Sequence, residues 1–348
     1  ILTGAAAAAA GGYATVICMA NTVPTCDTPE IIHYVRDKAK DCPVQVLQAG
    51  AVTHGLKGET LTDFDALLEA GAPCLTDDGV NLTRAGLCRE AMMQAAQRGV
   101  ILSFHEEEPS LVPSPGVNYG SAAAKQFGVP GAMASAETAM IARDIALALD
   151  TGARVLFQHV SCAQSAALIR AGKAMGARIY AEVTPHHLSL TEDDVPAHGT
   201  YARMNPPLRK ESDRQALIDA LADGTIDMIA TDHAPHTAEE KAREFAKAPS
   251  GITGLETAFS VCNTYLVQTG RLTPMQLIDR MSKAPAEVYG LKARAVQEGN
   301  FARLVLLDWE CEKIYDSYKS KAYNTPYTGM KLTGAPRAIV TGTRVTES

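Results

Sequence analysis

Residues 134–158, "ASAETAMIARDIALALDTGARVLFQ", decide the fold. Ala139, Ile141, Ile145, Ala148 and Leu149 recur at helical spacing, Gly152 stops the helix, and 153–158 is a short apolar run of strand type. Helix, glycine and strand in direct succession form the repeating unit of a parallel sheet whose strands are joined by helices.

The same unit recurs in both directions, from Gly4 to about residue 285, with no Pro/Gly/Ser linker. Strands are expected at 13–19, 44–51, 72–76, 99–104, 153–158, 177–183 and 226–230. Glycines 71, 99, 152, 176 and 224 close the helices before the later ones. Ahead of the first strand stands only a helix, "ILTGAAAAAAGG". The pattern therefore predicts an α/β chain, a (β/α)8 TIM-type barrel missing its first strand. An open doubly wound sheet fits less well, because "ANTVPTCDTP" after the first strand holds no glycine-rich fingerprint. Two β-like pieces, 301–308 and 336–346, lie beyond the repeat. The expected division is a barrel over 1–290 and a C-terminal segment over 291–348 that contributes to a small accessory β-sheet.

Composition narrows the function classes. A net charge of -7 with no basic stripe argues against nucleic acid or an anionic membrane as the partner. With 46% hydrophobic residues and no long polar tract, the chain reads as globular, and no stretch approaches a membrane span. The eight cysteines form no CxxC pair and several sit in apolar runs, which points to a reducing cytoplasm rather than to a disulfide framework.

In a barrel of this kind the site forms at the carboxyl ends of the strands. The residues there are Asn21; Thr53 and His54; Asp77 and Asp78; His105 with Glu106, Glu107 and Glu108; His159; Thr184 with His186 and His187; and Asp232 and His233 with His236. Singly, most have ordinary explanations. His33 and His198 read as surface residues, His54 as a loop residue, His186 and His187 as packing beneath the site, and the "EEE" run as a solvated face. His105, His159, Asp78 and Asp232 together differ, since chance would have to place four metal-type side chains at equivalent heights. Imidazole and carboxylate suit zinc and similar ions, a bridging carboxylate holds two of them together, and a nearby acid moves a proton.

The motifs "CMANTVPTCDTPE", "LTDDGV", "SFHEEE", "FQHVS", "AEVTPHHLSLTEDD", "RMNPPLR", "GTIDMIATDHAPHTAEEK" and "SGITGLETAF" together resemble class I dihydroorotase of the amidohydrolase superfamily. The resemblance runs over essentially the whole chain. It implies that Asp78 bridges two zinc ions, that His105 and His159 bind the second, and that Asp232 ligates the first and shuttles the proton. Asn21 and His236 would hold the substrate carboxylate and Asn205 the ring amide. The implied reaction interconverts L-dihydroorotate and N-carbamoyl-L-aspartate in pyrimidine biosynthesis, using metal-activated hydroxide. A homodimer and association with aspartate carbamoyltransferase are further implications.

One departure stands out: the family's His-x-His strand with its following arginine has no counterpart in this chain. The expectation is that this portion precedes Ile1 in the parent protein and that the chain alone is inactive or nearly so. Two other readings compete. A hydantoinase, dihydropyrimidinase or allantoinase would share "TDHAPH" but resembles its relatives in bridging metals with a carboxylated lysine, where this chain has "TDDG". A non-catalytic scaffold subunit would need none of the converging ligands. The stretch from Lys241 to Pro249 is expected to be a mobile segment beside the site.

Overall fold

The computed structural model describes residues 1–291 and 296–347. The deciding stretch folds as a helix, Ala134–Thr151, that buries Met140, Ile141, Ile145 and Ala148 and stops at Gly152, left-handed at φ 69. The helical period is as expected, but its phase is shifted: Ala139 is exposed and Leu149 is 40% exposed. An alanine-rich helix is apolar over much of its circumference, so the sheet beneath it selects the buried face.

Six parallel strands follow in chain order: β1 (Thr15–Cys18), β2 (Gln45–Gln48), β3 (Ile101–Phe104), β4 (Arg154–Phe157), β5 (Ile179–Val183) and β6 (Met228–Ile229). β1 pairs with β2, and β3, β4, β5 and β6 form a second ladder. The strand expected at 72–76 joins these ladders without becoming regular. It makes single parallel bridges, Gly50 to Leu75 and Leu75 to Leu102. Pro73 has no N–H to offer, which confines the ladder bonds to Cys74, Leu75 and Thr76. Every expected position is thus occupied, in order and in parallel. Among the described residues no pairing joins β6 back to β1.

Outside the strands, the helices Ala85–Arg98, Ala134–Thr151, Ala163–Ala174 and Glu211–Asp223 pack each against the next. One hydrophobic core lies between them and the sheet, through Met92, Ile141, Val155, Phe157, Ile169 and Leu221. No helix among the described residues is long and apolar enough to cross a membrane.

The C-terminal segment is more extensive than its two apolar pieces indicate. β7 runs Arg303–Ile314, β8 Lys331–Thr341 and β9 Arg344–Glu347, in one antiparallel sheet. The piece read as 301–308 continues because Glu310, Glu312 and Lys313 interrupt its apolar text without interrupting its backbone. The piece read as 336–346 is two strands folded at Gly342 and Thr343. This sheet is laced to the body: Asn263 Nδ2 donates to the carbonyls of Trp309 at 3.0 Å and Thr333 at 2.8 Å. Phe259 meets Trp309 edge to face at 5.1 Å, and the buried Tyr327 hydroxyl lies 2.6 Å from Ser189 Oγ. The expected boundary at 290/291 abuts residues 292–295, which lie outside the described residues.

Candidate active site

Asp77 and Asp78 follow the 72–76 segment, and their environments separate them. Asp77 is buried and accepts from the backbone N–H of Val52 at 2.8 Å and of Thr53 at 3.0 Å, and from the Thr53 hydroxyl. It fastens the end of the neighbouring strand. The Asp78 carboxylate is held by Asn21, whose Nδ2 donates to its Oδ2 at 2.9 Å. Burial raises the Asp78 carboxyl, opposed by His105 and Asn21.

His105 directly follows β3 and His159 lies two residues beyond β4, the adjacent parallel strand. His105 Nδ1 lies 2.9 Å from His159 Nε2, and His105 Nε2 lies 3.0 Å from Glu107 Oε2. One donor atom from each of Asp78, His105 and His159 falls within 4.8 Å of the others. Burial works to lower His105, but the hydrogen bond and charge of Glu107, with Asp78 and Asp232 beyond, raise it. Burial and His105 together drive His159 well down, and its Nδ1 has no hydrogen-bond partner among the described residues.

Asp232, three residues beyond β6, feels the charges of Asp78 and His105 but is not among the three residues whose ligand atoms fall within 4.8 Å of one another. Burial, and then the charge of Asp78, push it up to about 7, with His105 opposing. His159 and Asp232 both adopt left-handed backbone, at φ 34 and φ 44. Non-glycine residues are held in that region only when the surroundings dictate it, and such strain gathers at functional sites. These side chains suit a divalent cation. Two imidazole nitrogens facing each other at 2.9 Å share one proton at best, and the carboxylate beside them is held by a neutral amide.

The residues read as substrate contacts form a second group. Asn205, at a cis bond to Pro206, lines a cavity of about 400 Å³ together with His105, Glu107, Asn81 and Gly79. Its Oδ1 accepts from Ser250 Oγ at 3.3 Å. His236 stands apart from the three-ligand cluster and donates through Nε2 to the Ser250 carbonyl at 2.9 Å. Asn21 belongs with Asp78 rather than with this group. His233, between them in sequence, is committed to the backbone, where its Nδ1 accepts from the N–H of Gly254 at 3.2 Å and of Leu255 at 3.3 Å.

Two readings need correction. The "EEE" run is not a solvated face. Glu106 and Glu107 are buried, Glu107 against His105, while Glu108 caps the next turn through Ser110. A charge run directly after a strand end, in a fold whose site lies there, was the signal that its composition obscured. The Lys241–Pro249 stretch is anchored. Lys241 is 2% exposed and its Nζ donates to the carbonyls of Thr200 at 2.9 Å and Pro249 at 2.8 Å. Phe245 stacks on Phe127 at 4.1 Å. His186 and His187 are buried, His187 bonded to Thr184 and to the Pro206 carbonyl, whereas His33 and His54 are exposed. Glu182, mid-strand in β5, is a site neighbour that strand-end positions do not reveal; burial, then Asp232 and Asp78, push it up to about 8.

A parallel α/β sheet on whose carboxyl edge His and Asp side chains converge is the architecture of the amidohydrolases. The solved L-hydantoinase of Arthrobacter aurescens superposes with a TM-score of 0.88 at 25% identity, covering 100% of this chain and 80% of that one. A family model described as "Dihydro-orotase-like" matches residues 1–165. The dihydroorotase of Clostridioides difficile is 50% identical over 96% of this chain and 79% of its own length. That of Clostridium acetobutylicum is 48% identical over 98% and 80%. The chain belongs to the dihydroorotase family.

Proposed function

We propose dihydroorotase activity for the full-length protein: the reversible hydrolysis of L-dihydroorotate to N-carbamoyl-L-aspartate. The observation that carries the reading is the meeting of Asp78, His105 and His159 within 4.8 Å, with His105 lining one cavity with Asn205. Zinc is the proposed metal, as two ions. Asp78 would serve both, His105 and His159 would hold the second and Asp232 would hold the first. A bound ion of this type supplies Lewis acidity and lowers the pKa of water.

The chain's own groups do the rest. Asp232, buried beside Asp78, accepts a proton from the attacking water and returns it to the leaving ring nitrogen. Asn205 orients the ring amide, and Asn21 and His236 hold the carboxylate. Glu107 fixes the ring of His105 through Nε2, leaving Nδ1 to face His159. The same reading carries a cytoplasmic location, a homodimer, association with aspartate carbamoyltransferase, and a barrel over 1–290 with an accessory segment over 291–348.

The test is hydrolysis of L-dihydroorotate by the full-length protein, set beside hydantoin and allantoin, before and after chelation and zinc return. Preference for dihydroorotate, lost on chelation and restored by zinc, supports the reading. Preference for hydantoin, or turnover indifferent to chelation, refutes it.

A further inference from the structure

Asn205 and His236 lie on different loops, and Ser250 joins them: its Oγ donates to Asn205 Oδ1 at 3.3 Å and its carbonyl accepts from His236 Nε2 at 2.9 Å. Behind Ser250 stands Arg203, only 3% exposed, whose Nη1 donates to Ser250 Oγ at 2.6 Å. The Arg203 carbonyl accepts from Gly251 N at 2.9 Å, so one residue grips this loop by both side chain and backbone.

The Arg203 side chain has little freedom. Gly116 gives it passage, since a Cβ there would come within 2.4 Å of Arg203 Cγ. On another side its guanidinium lies 5.6 Å from the centre of the Phe245 ring. Its Nε has no partner among the described residues, and the other buried cation nearby, Lys241, spends its ammonium on two carbonyls. A desolvated guanidinium beside a second cation is costly. It projects positive potential toward the wall that Ser250 supports.

From the opposite flank the buried Asn324, in the C-terminal segment, ties the same two loops. Its Nδ2 donates to the carbonyls of Ala234 at 3.1 Å and Gly251 at 3.0 Å, and its Oδ1 accepts from His236 N at 3.0 Å. Both donors and the acceptor of this amide are therefore used on the loops that carry His236 and Ser250.

We propose that Arg203 and Asn324 are positioning residues that set the substrate-binding wall, Arg203 through Ser250 to Asn205 and Asn324 through the backbone of His236. This rests on the reading of Asn205 and His236 as substrate contacts. Neither positioning residue touches substrate. Because the carboxylate that His236 grips does not react and is held alike in ground and transition states, loosening the wall raises KM more than it lowers kcat.

The experiment uses the full-length, zinc-loaded protein and the variants Ser250→Ala, Arg203→Met, Arg203→Lys and Asn324→Asp. KM and kcat for L-dihydroorotate, melting midpoint and zinc content are measured for each. Ser250→Ala is expected to raise KM about five- to tenfold, as loss of the neutral hydrogen bond from Ser250 Oγ to Asn205 implies, with kcat within about twofold. Arg203→Met raises KM further, Arg203→Lys recovers part of it, and Asn324→Asp raises it with zinc content unchanged. A fall in kcat and melting midpoint with KM unmoved means a merely structural role and overturns the proposal. Should the Arg203 variants fail to fold, Ser250→Ala decides, since it leaves Arg203 and its packing in place. Wild-type turnover with an unchanged KM in Ser250→Ala defeats the positioning role alone. Absence of wild-type turnover defeats the functional reading, and the positioning role with it.

Discussion

His105 and His159 meet nitrogen to nitrogen at 2.9 Å, with ring planes 80° apart. Two imidazoles end-on in this way compete for a single proton, and a cation between them and Asp78 satisfies both at once. Parallel pairing brings the two strand ends together, since Phe104 and Phe157 are register partners, but His105 follows its strand directly while His159 stands one residue further on, past Gln158, in left-handed backbone.

Glu107 holds the other nitrogen of His105, which makes it the test of how far the ligand geometry is set from outside. Glu107→Gln is expected to weaken zinc binding about 10- to 100-fold while keeping the fold. Competition with a chelator of known affinity measures it, and unchanged zinc affinity would show that the Glu107 contact has no part in ligand orientation.

The neighbouring acids Asp77 and Asp78 should part company on mutation. Asp77→Asn disturbs a buried carboxylate accepting from Val52 and Thr53, and is expected to cost about 2–3 kcal/mol of stability. Asp78→Asn is expected to leave stability within about 1 kcal/mol but to remove zinc and turnover. Urea unfolding and metal analysis of both variants separate the two roles; equal destabilisation would merge them.

Lys241 supplies a pH prediction. Burial, and then Arg203, pull its ammonium down from 10.5 to about 7. Its folded pKa lies below its unfolded one, so between about 7 and 10 the unfolded chain binds the extra proton. The stabilisation linked to Lys241 is then present in full above its unfolded pKa and is lost as pH falls toward 7. Relative to Lys241→Met, the wild-type protein should gain up to about 1.4 kcal/mol per pH unit across that window. Parallel stability curves for the two proteins would contradict it.

The Tyr327 hydroxyl, paired with Ser189, links the C-terminal segment to the body. Tyr327→Phe is expected to cost about 1 kcal/mol, with a single unfolding transition retained in calorimetry. Two separated transitions in the wild-type protein would mean that the C-terminal sheet folds independently of the barrel.

Much of the site was legible because a βα repeat converts sequence position into height: whatever follows a strand lies on one rim. That rule places Asp78, His105, His159 and Asp232 on the rim together with Asp77, His54, His186 and His187, and the structure brings Asp78, His105 and His159 within 4.8 Å of one another. Glu107 stands on the same rim, but a run of three acids reads as solvent-facing until its burial against His105 is seen. Pro73 likewise shows why an expected strand reduced to bridges, a point that apolar content cannot reveal.

The periodic pattern by itself determined the order of helices and strands, their parallel sense, and which residues share a rim, since each follows from local geometry repeated along the chain. Only the tertiary structure decided that Asp77 is a strand fastener while Asp78 faces the two imidazoles, that His236 sits apart from the ligand cluster, and that Arg203 and Asn324 stand behind the wall. Those distinctions depend on which hydrogen-bonding groups meet across 25 to 90 positions of chain. No local periodicity encodes such meetings; packing of the whole sheet brings them about.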